Sequence, residues 1–279
     1  MTGVDSLCIA NLTIQGITQG GVETCIRVPE LKLMFDVGRC SPGAVSGKYS
    51  TILISHGHAD HLGGLPYLVS QRSMMNLGPP QVHVPQEIIK PLRTILDCWS
   101  EIEDFKLPVD LVPHVAGDVF AVGKNLEAIA LRSVHRVPSL AYIVQRITSK
   151  LKIEFTGWPR DKLIEKRNLG IAITQEHRTP LLCVTGDTQI EFFANCNLAR
   201  RCSVLVHEVT SWDDQRDVQQ TRHWGHTHID EMIAHAEQFE GEALVLVHRS
   251  MRHTRKEAEK IVRTRFPASV RDKIYVFGN

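Results

Sequence analysis

Six short apolar runs in this chain each stop at a side chain able to hold a metal ion. Residues 31–38 (LKLMFDVG) reach Asp36, 50–58 (STILISHGH) reach His56, and 126–135 (LEAIALRSVH) reach His135. Residues 180–188 (PLLCVTGDT) reach Asp187, 202–210 (CSVLVHEVT) reach His207 and Glu208, and 242–250 (EALVLVHRS) reach His248. Runs of this length, rich in β-branched residues and bounded by turn formers, read as strands buried on both faces. Helical patterns fall between them at 62–74, 85–102, 228–239 and 255–266. Strands alternating with helices predict an α/β layered architecture. A buried strand holds its last side chain rigidly, while the loop beyond it is open to solvent. Six such ends on one sheet edge would make a preorganised polar site.

Composition narrows the class of protein. The chain has 279 residues, 43% hydrophobic and 23% charged, enough for one large domain or two small ones. A net charge of +1 gives no global sign of a polyanionic partner. No apolar run approaches the ~20 residues of a membrane span, and the N-terminal sequence lacks the pattern of a secretory signal. Seven scattered cysteines without a CxxC pair read as reduced, mostly buried thiols of a cytoplasmic protein, not as a disulfide framework or a cysteine zinc site. The unusual count is fourteen histidines.

Four ligand-type side chains, His56, His58, Asp60 and His61, crowd into six residues just after a strand. On a tight loop, the first two can face one metal and the last two a second beside it. Gly57 and Ala59 keep the intervening side chains small. Nitrogen and carboxylate donors without sulfur suit Zn²⁺, with Mn²⁺ or Fe²⁺ as alternatives.

This HxHxDH cluster, with His135, Asp187 and His248 at later strand ends, resembles the metallo-β-lactamase superfamily across essentially the whole chain. The resemblance implies one domain over 1–279, an αββα sandwich of two mixed sheets face to face with helices outside. It also implies two Zn²⁺ ions per chain. His56, His58 and His135 would hold one, Asp60, His61 and His248 the other, with Asp187 bridging and Asp36 orienting a ligand from behind. His207-Glu-Val-Thr210, Gly225-His-Thr-His228, the spacing from His135 to Tyr142, and His248-Arg-Ser-Met-Arg252 are similar to motifs of ribonuclease Z. The short, plant-like type of that family is suggested by Gly20-Gly-Val-Glu-Thr-Cys25, Phe35-Asp-Val-Gly-Arg-Cys40 and His228-Ile-Asp-Glu231.

That likeness implies an endonuclease that removes 3′ trailers from precursor tRNA by hydroxide attack on phosphorus, acting as a homodimer. Asp60 would orient the nucleophile, and His226, made more basic by Glu208, would protonate the departing oxygen. His207 and His228 read as structural neighbours. The same metal core would also serve a small-molecule hydrolase, such as a cyclic-nucleotide phosphodiesterase or a thioesterase. Three family features are missing: the Pro-x-Lys-x-Arg-Asn loop, the long Gly-Pro arm, and a Tyr where His253 stands.

Local charge marks where RNA would dock. Residues 146–167 hold seven Lys/Arg against three acids, with Phe155 and Trp158 among them. This basic insert, near 146–178, occupies the place of the family's tRNA-binding arm. Lys150, Lys152, Lys162 and Lys166 are its candidate phosphate contacts, and its aromatics are candidates for base stacking. Residues 249–273 hold nine Lys/Arg against three acids and add Arg252 as a candidate.

Overall fold

The computed structural model describes residues 3–278. Its first sheet takes seven strands in chain order: β1 (Asp5–Ile9), β2 (Leu12–Gln19), β3 (Glu23–Val28), β4 (Leu33–Phe35), β5 (Thr51–Leu53), β6 (Gln81–Pro85) and β7 (Asp110–His114). β1 to β4 pair antiparallel and β4 to β7 parallel. The second sheet comprises β8 (Val119–Gly123), β9 (Leu126–Arg132), β10 (Leu140–Leu151), β11 (Thr174–Val184), β12 (Val204–Glu208), β13 (Ala243–Val247) and β14 (Ile274–Val276). It repeats the plan, antiparallel from β8 to β11 and parallel from β11 to β14.

Period-two alternation explains why the short strands read as unbroken apolar runs. On β4, Leu33 and Phe35 enter the core between the sheets while Met34 enters an outer layer. On β12, Val204 and Val206 point inward and Leu205 outward. The outer layer of the first sheet is closed by α1 (Ala59–Leu62), α2 (Leu65–Met74) and α3 (Ile89–Glu103), with Leu68 and Leu92 packed against Ile52 and Val82. A basic helix, α4 (Arg160–Asn168), caps the hairpin between β10 and β11 and buries none of its residues. The second sheet is covered from α5 (Glu191–Asn195), α6 (Asn197–Arg200), α7 (Val218–His223), α8 (Ile229–His235), α9 (Arg255–Arg265) and α10 (Ala268–Arg271). Phe193, Met232 and Val262 lie there against Leu205 and Leu244. Two mixed sheets with helices outside are the sandwich expected from the sequence.

The helical patterns shift slightly in detail. The 62–74 pattern breaks at Gly63 and Gly64 into α1 and α2, and the 85–102 pattern opens with a 3₁₀ turn before α3. The 255–266 pattern is α9, started by a capping box in which Thr254 and Glu257 satisfy each other's backbone N–H groups. The insert becomes a projecting hairpin. β10 and β11 run on past the sheet in register from Arg146 opposite Thr179 to Leu151 opposite Thr174, with α4 at the tip.

Candidate metal centre

The sheets touch at the rim where β5 and β11 end. Leu140 N–H donates to the Ser55 carbonyl at 2.8 Å, and the Tyr142 hydroxyl, buried between the sheets, donates to the Ile54 carbonyl at 2.8 Å. Tyr142, met in the sequence only as a motif spacing, is thus a clamp that holds the β5 exit against β10. The polar residues lie on this rim, from zero to three positions beyond their strands. Asp36 and His248 follow β4 and β13 at once, whereas His56, His135 and Asp187 stand three residues out. Asp36 and His248 both take left-handed backbone, at φ 54° and 62°. That conformation is uncommon for residues with a Cβ and is held here by the surrounding bonds.

Two groups of ligand atoms converge without sharing a residue, each within 4.8 Å: His56, His58, His135 and Asp187 in one, Asp60, His61 and His248 in the other; a third, Asp187, His226 and His248, overlaps both and brings His226 to the edge of the cluster. Asp187 faces both. Its Oδ2 is 3.6 Å from His56 Nε2, and its Oδ1 is 3.3 Å from Nε2 of both His61 and His248. The Nε2 atoms of His61 and His248 approach to 3.3 Å, and His58 Nδ1 lies 3.4 Å from His135 Nε2. His56 Nε2 and Asp187 Oδ1 are buried without a hydrogen-bond partner. An unpaired buried polar atom costs about 1–3 kcal/mol, and a divalent cation would supply the missing partner to both. The donor set, nitrogen and carboxylate oxygen converging from rigid strand ends, therefore fits a metal pair.

The far side of four of the five rings is fixed, while His58 turns its Nδ1 toward the cluster. His61 Nδ1–H donates to Asp36 at 2.8 Å, His135 Nδ1–H donates to the Gly225 carbonyl at 2.8 Å, and Nδ1 of His56 and of His248 meets the hydroxyls of Ser55 and Thr210 at 2.9 Å. These bonds leave Nε2 facing the cluster, as ligation requires. Asp36 also accepts from Ser55 N–H and its hydroxyl, at 2.7 and 2.8 Å. Gly186 sits at φ 58°, and a Cβ there would stand 2.4 Å from Ser55 Cβ, so only glycine lets the Asp187 loop press against Ser55.

Charge is balanced tightly. Burial disfavours a proton on His61, yet Asp187 and Asp36 on its two sides raise its pKa well above the ordinary range. A cation entering the cluster competes with that proton. Burial would raise Asp60, but the His248 and His61 rings hold it well below the usual carboxylate range, and Gly21 N–H donates to it at 3.0 Å.

Beside the cluster, Glu208 is fully buried and saturated with donors. Thr188 and Thr227 N–H groups reach it at 3.2 and 3.1 Å, the Thr210 hydroxyl at 2.8 Å, and His226 Nδ1 at 3.0 Å. His226 lies 3.8 Å from Asp187. Burial works against a charged His226, but Glu208 prevails and lifts its pKa to about 9. His207, on the opposite face of β12, packs edge-on against Phe193, and its Nδ1–H donates to the Glu208 carbonyl. His228 caps α8, accepting from Asp230 N–H, with its Nε2–H donating to the Asp213 carbonyl. Both are framework groups.

The basic candidates lie elsewhere. Lys150 and Lys162 are exposed on the arm, Lys152 and Lys166 are half-exposed, and Arg252 stands 3.9 Å from Asp213. None belongs to the two ligand groups. The structure adds a pair with no counterpart among the sequence motifs. His83 Nδ1 and His114 Nε2 are 2.8 Å apart, with His114 stacked on Phe120. Burial, and then His114, push His83 down to about 4. This pair is tied to Gln81 and Asp118 at the sheet edge, away from the ligands. All seven cysteines are free; Cys25, Cys183 and Cys202 are buried, while Cys8 and Cys98 are exposed.

The chain is similar to proteins already known. The Beta-lactamase superfamily domain matches residues 37–249. The chain is 36% identical over 256 residues to tRNase Z TRZ1 of Arabidopsis thaliana, covering 91% of both. It is 32% identical to the chloroplastic tRNase Z TRZ2 of the same plant, covering 91% of this chain and 72% of that one. In fold it is similar to the crystal structure of the metallo-beta-lactamase fold protein YhfI from Bacillus subtilis, with a TM-score of 0.65 at 13% identity and 94% of each chain covered.

Proposed function

The chain belongs to the beta-lactamase superfamily and, within it, to the tRNase Z enzymes, and from that premise we propose that it removes 3′ trailers from precursor tRNA as a two-zinc phosphodiesterase. The observation that carries this reading is the His226–Glu208 pair, 3.0 Å apart and bordering Asp187. A thioesterase, whose thiolate departs unaided, needs no such acid, whereas any phosphodiesterase that expels a ribose alkoxide does. Water adds to phosphorus, the bond to the 3′ oxygen breaks, and the tRNA leaves with a 3′ hydroxyl while the trailer keeps a 5′ phosphate.

His56, His58 and His135 would hold one ion and Asp60, His61 and His248 the other, with the two oxygens of Asp187 turned to different histidines. Ions bound there would lower the pKa of water toward neutrality and offset charge on the phosphoryl oxygens. Asp60, anchored by Gly21 N–H, orients the nucleophile. Asp36 keeps His61 in the tautomer that presents Nε2. His226 gives its proton to the departing oxygen and is recharged from solvent, which its partial exposure allows.

The arm carries the lysines that meet phosphates, with Trp158, 38% exposed, as its stacking ring; Phe155 is buried in the tip and cannot stack on a base. A second copy of the chain covers the apolar face of α3. Ile95, Trp99 and Ile102 form an exposed stripe at helical spacing there, with Tyr67 of α2 lining one cavity with Trp99 and Asp60.

The reading is tested by giving the purified protein a trailer-bearing tRNA and an aryl phosphodiester, with elemental analysis alongside. Expected are cleavage of the tRNA to the two ends named above and close to two ions per chain. Hydrolysis of the aryl ester without any attack on the tRNA would assign the chain to small-molecule chemistry.

A further inference from the structure

A cavity of about 300 Å³ opens on the His226 and His248 side of the ligand cluster, with Trp224 as one wall and Arg216 at its border. Trp224 keeps 47% of its surface exposed. The Arg136 guanidinium carbon sits 4.7 Å from the ring centre and backs it with a cation. Arg136 does not line the cavity. Arg216 makes no ion pair among the described residues, so its charge is open to a ligand.

The turn that presents the ring is held firmly. Gly225 has φ 81°, and a Cβ there would lie 2.7 Å from His135 Nδ1 and 3.1 Å from Arg136 N. Its carbonyl accepts from His135. Trp224, Gly225 and His226 are therefore fixed as a unit against His135, one residue walling the cavity, the next anchoring a ligand, the third bonded to Glu208.

We propose that Trp224 is the stacking platform for the base of the nucleotide immediately 5′ of the cut, with Arg216 taking the phosphate before it. This rests on the proposed function, because His226 protonates the 3′ oxygen of that nucleotide and so its ribose lies on the side where the cavity opens. A volume of about 300 Å³ suits one base, at the lower end of the range for small-molecule sites. Stacking tolerates any base, since every base offers a π face. Trp224 is thus a specificity-determining residue that requires a base without selecting its identity.

The test combines changes on both sides of the stack. Wild type, Trp224→Ala and Trp224→Phe are each given a trailer-bearing tRNA, intact or abasic at the nucleotide just 5′ or just 3′ of the scissile phosphate. Affinity is read on the metal-loaded protein with precursors whose scissile 3′ oxygen is replaced by a methylene, which cannot be hydrolysed, and kcat/KM with the cleavable ones. Removing the 5′ base should weaken wild type by about 5- to 150-fold. Trp224→Ala should lose as much on intact RNA and be indifferent to the missing 5′ base, with Phe restoring most of the loss. Additive losses would overturn the stack, and coupling to the 3′ base instead would overturn the polarity. Metal content and melting temperature check the fold, and Trp224→Leu replaces Trp224→Ala if the latter misfolds. If wild type hydrolyses an aryl phosphodiester but neither binds nor cuts any of the RNAs, the functional reading has failed first.

Discussion

Glu208 and His226 act as one device, and their substitutions should behave as one. Glu208→Ala and His226→Ala should each slow tRNA cleavage by about 10²–10⁴-fold, the usual weight of a general acid, and the double variant should be little worse than either. An aryl phosphodiester, whose leaving group departs without a proton, should suffer far less. A precursor with sulfur at the scissile 3′ position separates proton donation from positioning. If it fails to rescue His226→Ala relative to wild type, His226 only positions. With His226 lifted to about 9, the acid is lost as pH rises through that value. The same shift makes the pair's stabilising effect complete below the unfolded histidine value, about 6.5, and lost on passing 9. Bound cations beside Asp187 lower His226, so the diagnostic is the difference: Glu208→Gln should move the alkaline limb of the rate profile to lower pH. An unmoved limb would detach Glu208 from the titration.

At the scale of elements, the hairpin of β10 and β11 carries a prediction of its own. Its strands lose burial beyond Gln145 and Leu181, and α4 buries no residue, so nothing in the core requires the arm's charge. Replacing Lys150, Lys152, Lys162 and Lys166 by Ala should weaken tRNA binding. It should also flatten the dependence of log K on log salt by about 0.7–0.9 for each phosphate no longer neutralised. A slope identical to wild type would show that the arm does not touch RNA. The outer half of this hairpin has only Ile147 and Leu151 among its polar and charged residues, too few to mark an apolar face, which is why its strands were not visible as strands. β4, β5, β12 and β13, buried on both faces, were.

At the scale of the whole molecule, α3 presents an apolar stripe to solvent. Ile95, Trp99 and Ile102 leave 53%, 41% and 73% of their surface exposed on one side of α3. A second copy seated there would lie beside the cavity that Trp99 shares with Asp60. Sedimentation should show a dimer, and Ile95→Glu with Ile102→Glu should give monomers that still hydrolyse an aryl phosphodiester but process tRNA poorly. Wild type sedimenting as a monomer throughout the micromolar range would remove the dimer.

The ligands were readable in the chain because ligation restricts residue type and because strands buried on both faces must be apolar up to the point where they stop. His56, His58, Asp60 and His61 are also neighbours in sequence, so their grouping needed no fold to see. Partners separated along the chain were a different matter. The Asp36–His61 bond, Tyr142 reaching Ile54 across the sandwich, and Trp224 standing on Arg136 depend on how two sheets pack and on which φ a turn adopts. His207 and Glu208 show the division sharply, adjacent in sequence and alike in polarity. The pleat of β12 sends one into a hydrophobic layer against Phe193 and the other to His226. Sequence determines which residues can do chemistry, and the alternation and packing of the strands decide which of them face the site.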